Sequence, residues 1–435
     1  TEWWYYTGNL ATADGRRFGY QLTFFRRALT PPALRSDRLS AWAADQVYMA
    51  HFALTDVSAG RFYAYERFSR GAGGLAGAQA EPYHVWLEDW EVREIEPGVA
   101  RLLAAQDGLV LDLVLTDQQG PILQGDSGYS PKGPQPGNAS YYYSQTRLES
   151  AGTVQVADAV YPVDGLSWMD HEWSTVGLAA DQVGWDWFSI QLDDGSALMA
   201  FQLRKEDGSI DPFSSGTLIE PDGSTRHLES DEFEIRVDET WRSPSTRATY
   251  PAAWTLTVPV ADLTLEIEPY LADQELNLSY AYWEGAVRVE GEQAGQTIAG
   301  NGSVVMTGYA VSMQGQFCAG EGLMRTRLIR AFDDVLDKTV VLSYTRLGYS
   351  LRQAAWKHTD LDVDMTGQVC LVTGASSGLG RVTAEAVARL GATVHMLVRS
   401  DSKGSWVREG IVRRTGNENV HLAHADLSSL NSVRT

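Results

Sequence analysis

Apolar and polar residues alternate in short runs through the first three quarters of the chain, with turn signals between the runs. Residues 3–10 read as a strand, Ala13-Asp14-Gly15 as a turn, and 18–25 as the returning strand of a hairpin. Residues 47–55 and 62–68 form a second pair around Asp56-Val57-Ser58-Ala59-Gly60, and 83–95, 101–106 and 109–115 continue the meander. No part of this region keeps a helical period over a useful length. Residues 125–143 are rich in Gly and Pro and end in Tyr141-Tyr142-Tyr143. They predict a long loop, either packed on its own aromatics or facing a substrate.

The opening pattern then returns. Trp185-Asp186-Trp187-Phe188, a turn at Asp193-Asp194-Gly195 and a strand from Ala197 repeat the order of Trp3-Trp4-Tyr5-Tyr6, turn and strand from Phe18. Hairpins around Pro221-Asp222-Gly223 and over 254–267 follow, and 283–290 and 302–309 read as closing strands. A repeat built of short antiparallel strands predicts two β-domains of one kind, each a barrel or sandwich. The boundaries expected are 1–160 and 161–318.

The period changes from about Gly322. Leu323, Leu328, Ile329, Phe332, Val335 and Leu336 recur at helical spacing with Arg325, Arg327 and Arg330 opposite. This predicts a helical connector over 319–364 that docks on protein, with a membrane surface as the other candidate partner. Residues 368–373 then form an apolar strand run, Gly374-Ala375-Ser376-Ser377-Gly378-Leu379-Gly380 a glycine-rich turn, and 381–390 a helix before a second strand at 393–398. That order suits a dinucleotide: glycines let the backbone approach the pyrophosphate, and the helix N-terminus faces it. The second strand ends in Arg399 rather than an acid, which favours NADP over NAD.

Composition adds exclusions. A net charge of -21 argues against nucleic-acid partners and for neutral, apolar or cationic ones. Fourteen Trp and 19 Tyr suit a β-rich protein with aromatic-lined interiors. Cys318 and Cys370 are the only cysteines and fall in different predicted domains, so neither a disulfide nor a multi-cysteine zinc site is expected. No apolar run reaches membrane-spanning length. The chain begins without Met at the threshold of a strand and stops inside an unfinished pattern, which suggests a fragment.

Two resemblances follow from these motifs. Thr373-Gly374-Ala375-Ser376-Ser377-Gly378-Leu379-Gly380 resembles the short-chain dehydrogenase/reductase family. The resemblance implies that Gly374, Ser376, Ser377, Gly378, Leu379 and Gly380 line NADP, with Arg399 near its 2′-phosphate and Asp426 near adenine. It covers roughly the last seventy residues. The family's catalytic Ser and Tyr-x-x-x-Lys pair have no counterpart within them, so this segment alone is not expected to transfer hydride. Residues 1 to about 315 resemble the hydroxyneurosporene synthase (carotenoid 1,2-hydratase)/AttH-like family. The resemblance rests on Glu2-Trp3-Trp4-Tyr5-Tyr6-Thr7-Gly8, Gly128-Tyr129-Ser130-Pro131-Lys132-Gly133, Trp168-Met169-Asp170-His171-Glu172-Trp173, Tyr282-Trp283-Glu284-Gly285 and Met306-Thr307-Gly308-Tyr309. It is closer to the AttH-like branch.

The fold expected is therefore mainly β: two lipocalin-like antiparallel β-barrel domains, a helical connector, and a partial α/β Rossmann domain over 365–435. The chemistry implied is cofactor-free addition of water to an alkene of a hydrophobic terpenoid or lipid. A carboxylic acid with a raised pKa must protonate the double bond, aromatic faces must stabilise the cation, and a base must activate water. Asp170 is the candidate acid, His171 the base or its orienter, and Glu172 and Trp173 complete the catalytic set. Trp3, Tyr5, Tyr142, Trp185, Trp283 and Tyr309 are the substrate-binding candidates, with Glu2 and Asp186 behind them. Alternate strand residues face opposite ways, so Asp170 and His171 share a pocket only where the strand bulges or ends. His51, His84 and His227 read as ordinary strand or surface histidines. The competing readings are a non-catalytic carrier of an apolar ligand and a pericyclase or isomerase on the same fold. The AttH-like resemblance implies a periplasmic or secreted protein and the short-chain dehydrogenase/reductase resemblance a cytoplasmic one.

Overall fold

A computed structural model describes residues 1–29, 44–175, 177–313 and 363–425. The chain forms two compact units, Thr1–Leu323 and Met324–Thr435. Almost all of the helical connector expected at 319–364, together with Cys318, lies outside the described residues.

The first unit contains two curled antiparallel sheets, one of 13 strands and one of 10. They share a plan. In the first, the opening aromatic strand Glu2–Ala11 sits between its hairpin partner Arg17–Ala28 and the later strand Ala159–Trp173. In the second, Gln182–Leu192 sits between Ala197–Lys205 and the closing strand Gln296–Met306. Each repeat thus folds its aromatic strand into the middle of a sheet, where both faces are covered. One boundary differs from expectation. Ala159–Trp173 pairs residue for residue with Glu2–Ala11, from Glu2 opposite Trp173 to Ala11 opposite Asp164, so the first sheet extends to Trp173 and does not end at 160.

Strand alternation distributes the aromatics among three clusters. Trp4, Tyr6, Leu22, Phe24, Phe52, Trp90 and Met169 fill the inside of the first sheet. Phe188, Ile190, Trp254, Leu265 and Trp283 fill the second. Tyr5, Trp168, Trp187, Phe201, Tyr282 and Val305 form a third cluster between the sheets. The sheets touch closely there. Thr7 Oγ1 and Ser303 Oγ are 2.7 Å apart, and Asn9 Nδ2 donates to the Gly302 carbonyl at 2.9 Å. Gly19 lacks a side chain where a Cβ would stand 2.4 Å from the Ala286 Cβ.

The second unit is a three-stranded parallel sheet of Val369–Thr373, Thr393–Val398 and Val420–His424. Helices Gly378–Arg389 and Asp401–Thr415 connect the strands and pack Ala384, Ala388, Val407 and Ile411 against Val394, Met396 and Val420. Among the described residues no helix is long and apolar enough to cross a membrane.

Candidate functional site

A cavity of about 170 Å³ opens between the two sheets of the first unit. Its walls are largely aromatic, with Trp3, Tyr5, Tyr142, Trp185, Trp187 and Phe201 among them. Among the described residues, five acidic or basic side chains reach it: Asp170, Glu172, Glu284, His51 and Lys132.

Asp170 is 4% exposed. Three donors converge on its carboxyl: the Tyr142 hydroxyl at 2.6 Å, the Ser144 hydroxyl at 2.5 Å and the Trp168 indole at 2.7 Å. The Trp187 indole in turn donates to the Tyr142 oxygen at 3.0 Å, so the second sheet steadies the donor. Burial pushes the Asp170 carboxyl up to about 7, against the donors, which favour its charged form. A carboxylic acid half-protonated near neutral pH in an apolar site is equipped to give up a proton.

Glu284 is a second such acid. Burial pushes it up to about 8, with the nearby Tyr5 and Tyr282 hydroxyls opposing. Tyr282 belongs to a chain of polar contacts: its hydroxyl lies 2.7 Å from His51 Nδ1, His51 Nε2 lies 3.0 Å from Glu66 Oε1, and Ser279 donates to the other Glu66 oxygen at 2.6 Å. Burial lowers the His51 pKa. Glu172 has a cation beside it. It accepts from the Ser140 hydroxyl and lies 3.5 Å from the Lys132 ammonium, which itself sits 3.7 Å over the Phe201 ring. Burial lowers the Lys132 pKa while Glu172 raises it.

The structure divides the sequence candidates. Asp170, Glu172, Trp3, Tyr5, Tyr142 and Trp185 line the cavity. His171 and Trp173 do not. The strand runs regularly through them, so odd-numbered side chains face away from the even-numbered Trp168, Asp170 and Glu172. His171 stacks on Trp4 at 4.9 Å, and its Nε2 meets Glu2 Oε1 at 2.9 Å, Glu2 being paired also with Arg26. Trp173 stacks on Tyr141 at 5.6 Å. Trp283 is turned into the second sheet's core, where its indole donates to the Ala272 carbonyl at 2.9 Å. Tyr309 donates to Asp186 at 3.0 Å beneath Arg204, and Asp186 is paired with that same Arg204. Alternation that removes Trp283 presents Tyr282 and Glu284, which sequence reasoning passed over although they stand in the same motif. His51, read as an ordinary strand histidine, and Lys132, which stands in the quoted 128–133 motif, are further cavity residues missed; nothing local in the sequence marks His51.

In the second unit, Gly374 and Gly378 have positive φ, 62° and 52°, which other residues adopt only under strain. A Cβ on Gly380 would stand 2.7 Å from the Thr373 and Gly374 carbonyl oxygens. The turn leads into the N-terminus of Gly378–Arg389, where Ser377 makes no side-chain capping bond. First-turn amides free of a cap and a turn stripped of side chains fit a pyrophosphate. Leu379 is exposed and Arg399 stands exposed after the second strand, while Asp426 lies outside the described residues. Among the described residues no cluster of side chains suits a metal ion.

Comparisons with known proteins match both parts. A family model described as AttH-like covers residues 1–309, and one described as short chain dehydrogenase covers 368–435. A crystal structure of an AttH from Nitrosomonas europaea is 37% identical, with a TM-score of 0.62, over 71% of this chain and 92% of that one. Kievitone hydratase from Nectria haematococca, 14% identical with a TM-score of 0.57 over 71% of this chain and 89% of that one, shares the fold. Dehydrogenase/reductase SDR family member 12 of Bos taurus is 38% identical over 90 residues, which are 21% of this chain. The match spans only 28% of that relative's length. Through its two β-sheets the chain belongs to the AttH-like family, and it carries a short-chain dehydrogenase segment behind them.

Proposed function

We propose that the inter-sheet cavity catalyses acid-promoted addition of water to an alkene of a hydrophobic terpenoid or lipid. The observation that carries this reading is the Asp170 carboxyl, 4% exposed on the wall of an aromatic cavity, where burial pushes its pKa up to about 7. Its proton passes to one alkene carbon, and the π electrons form the new C–H bond. The other carbon becomes a cation facing Trp187, Tyr142 and Trp3, worth about 2 kcal/mol per well-placed ring in a desolvated site. Water adds to the cation, and the resulting oxonium loses its proton to a carboxylate. Glu172, paired with the Lys132 ammonium, is the carboxylate on the wall suited to that step. His171 takes no part, because it faces the other way. The fold likeness to kievitone hydratase is in keeping with this reading but adds nothing about substrate.

The test is turnover in isotopically labelled water, with Asp170→Asn beside the wild type. Hydration places the label in the product and is lost in Asp170→Asn while ligand affinity stays. Product without label supports an isomerase or pericyclase, and indifference to Asp170→Asn supports a carrier.

For the second unit we propose NADP binding, with the 374–380 turn and the first turn of Gly378–Arg389 holding the pyrophosphate and Arg399 the 2′-phosphate. The chemistry NADP would bring there is hydride exchange, for which residues 368–425 by themselves carry no Tyr-x-x-x-Lys pair.

A further inference from the structure

Most polar groups on the cavity wall have partners. Asp170 has three donors, Glu172 has Ser140 and Lys132, and His51 has Tyr282 and Glu66. Two atoms do not. Tyr5 Oη and Glu284 Oε1 are buried and make no hydrogen bond of ordinary geometry among the described residues, although the hydroxyl and the carboxyl lie near enough to shift each other's pKa. The two residues are 7% and 4% exposed, and both line the cavity. A buried polar atom left without a partner costs on the order of 1–3 kcal/mol, so two together mark a place where something else completes them. The place is next to the reacting acid, because Tyr5 is the register partner of Asp170 on the neighbouring strand. The Trp187 ring, edge-on to Tyr5 at 5.1 Å, closes one side with an apolar surface.

The pair specifies a ligand. Tyr5 Oη offers a proton, and Glu284 Oε1 offers a lone pair. A hydroxyl meets both at once, accepting from the tyrosine and donating to the carboxyl. An anion is disfavoured with the Asp170, Glu172 and Glu284 carboxyls sharing the cavity. The volume of about 170 Å³ is close to that of a buried cavity known to take benzene, about 150 Å³, so the space suits one ring or one chain end.

We propose that the cavity is a site for an apolar alcohol, whose hydroxyl is held between Tyr5 and Glu284 while its alkene lies against Asp170. The alkene half of this statement rests on the hydration proposed above; the hydroxyl half rests on Tyr5 and Glu284 alone.

The test compares two acyclic monoterpenes, the alcohol geraniol and the hydrocarbon myrcene, binding to the full chain. Quenching of tryptophan fluorescence reads the binding, since Trp185 and Trp187 line the cavity. Geraniol is expected to bind about tenfold more tightly than myrcene, the value of one good hydrogen bond. Tyr5→Phe and Glu284→Leu each weaken geraniol relative to myrcene and so erase the tenfold preference, while Glu284→Gln keeps it. Equal binding of the two probes by the wild type overturns the proposal, as does equal weakening of both probes in both variants. Labelled water separates this outcome from the fate of the hydration reading. A preference for geraniol with no label in any product upholds the anchor and removes hydration. Label taken up by myrcene without any preference for geraniol removes the anchor alone.

Discussion

Tyr5 and Asp170 stand opposite each other on neighbouring antiparallel strands, and both side chains face the cavity between the sheets. The adjacent pair in the same register, Trp4 and His171, stacks at 4.9 Å on the opposite face. One register therefore separates two sets of residues that are neighbours in sequence. The cavity receives the acid, and the inside of the first sheet receives the histidine.

Replacing His171 tests this separation. His171→Phe removes the contact with Glu2 and keeps a ring against Trp4. It is expected to cost about 1–2 kcal/mol of stability, since Glu2 loses one of its hydrogen-bonding partners and keeps Arg26. Turnover should stay within a few-fold of wild type, while Asp170→Asn lowers it by about a hundredfold or more. Denaturant unfolding and kcat measured on both variants check the contrast.

Two buried acids make stability depend on pH in an unusual direction. Asp170 rises from 3.8 to about 7 and Glu284 from 4.5 to about 8 on folding. Between those limits the folded state holds protons that the unfolded state has lost, so stability falls as pH rises. The contribution is fully present below about pH 4 and gone above about pH 8, the reverse of a salt-bridged carboxylate. Unfolding free energy measured across this range should decline by a few kcal/mol from these two groups. Asp170→Asn should roughly halve the slope between about pH 4 and 7, leaving the share of Glu284, which continues to about pH 8. A flat profile in the wild type would mean that neither group is held neutral.

Tyr142→Phe probes the donor. The Tyr142 hydroxyl favours the charged form of Asp170, so its loss raises the Asp170 pKa further. Under the proposed mechanism the alkaline limb of kcat, set by the need for a protonated acid, should move to higher pH. The same change strands the Trp187 indole, which donates to Tyr142, at a cost of about 1–3 kcal/mol. A pH profile that does not move, with stability lost, would reduce Tyr142 to a structural role.

Much of this fold was legible in the sequence because hairpin turns and aromatic strand openings are local signals. Trp3-Trp4-Tyr5-Tyr6 and Trp185-Asp186-Trp187-Phe188 announced two similar sheets, and they occupy equivalent central positions. The boundary at 160 misled because Ala159–Trp173 closes the first sheet across more than 150 residues, a pairing with no local mark. The site was half legible for a related reason. Strand parity shows that Asp170 and His171 diverge, but not which of them faces the other sheet. In central strands both faces are buried, so hydrophobicity does not choose between them. Trp283 drew attention by its size and Glu284 did not, although the cavity takes the smaller residue. Lys132 and His51 reach the site from a loop and a strand far away in sequence.

Gly19 offers a test of how the two sheets hold the site together. Its missing Cβ is where the sheets come closest, against Ala286 at 2.4 Å, with Thr55 next at 3.5 Å. Gly19→Ala forces backbone apart from backbone, because neither methyl can rotate away. The expected cost is about 1–3 kcal/mol, as for other overpacked cores. Hydrophobic probes should also bind less tightly, because the cavity walls come from both sheets. Trp3, Tyr5 and Asp170 belong to one, and Trp187, Phe201 and Glu284 to the other. Ala286→Gly in the same chain removes the opposing methyl and should restore most of both losses. Thermal unfolding and probe affinity for the two single variants and the double variant close the cycle. If Ala286→Gly fails to rescue Gly19→Ala, the sheets are not in contact at this point, and the placement of the cavity between them fails with it.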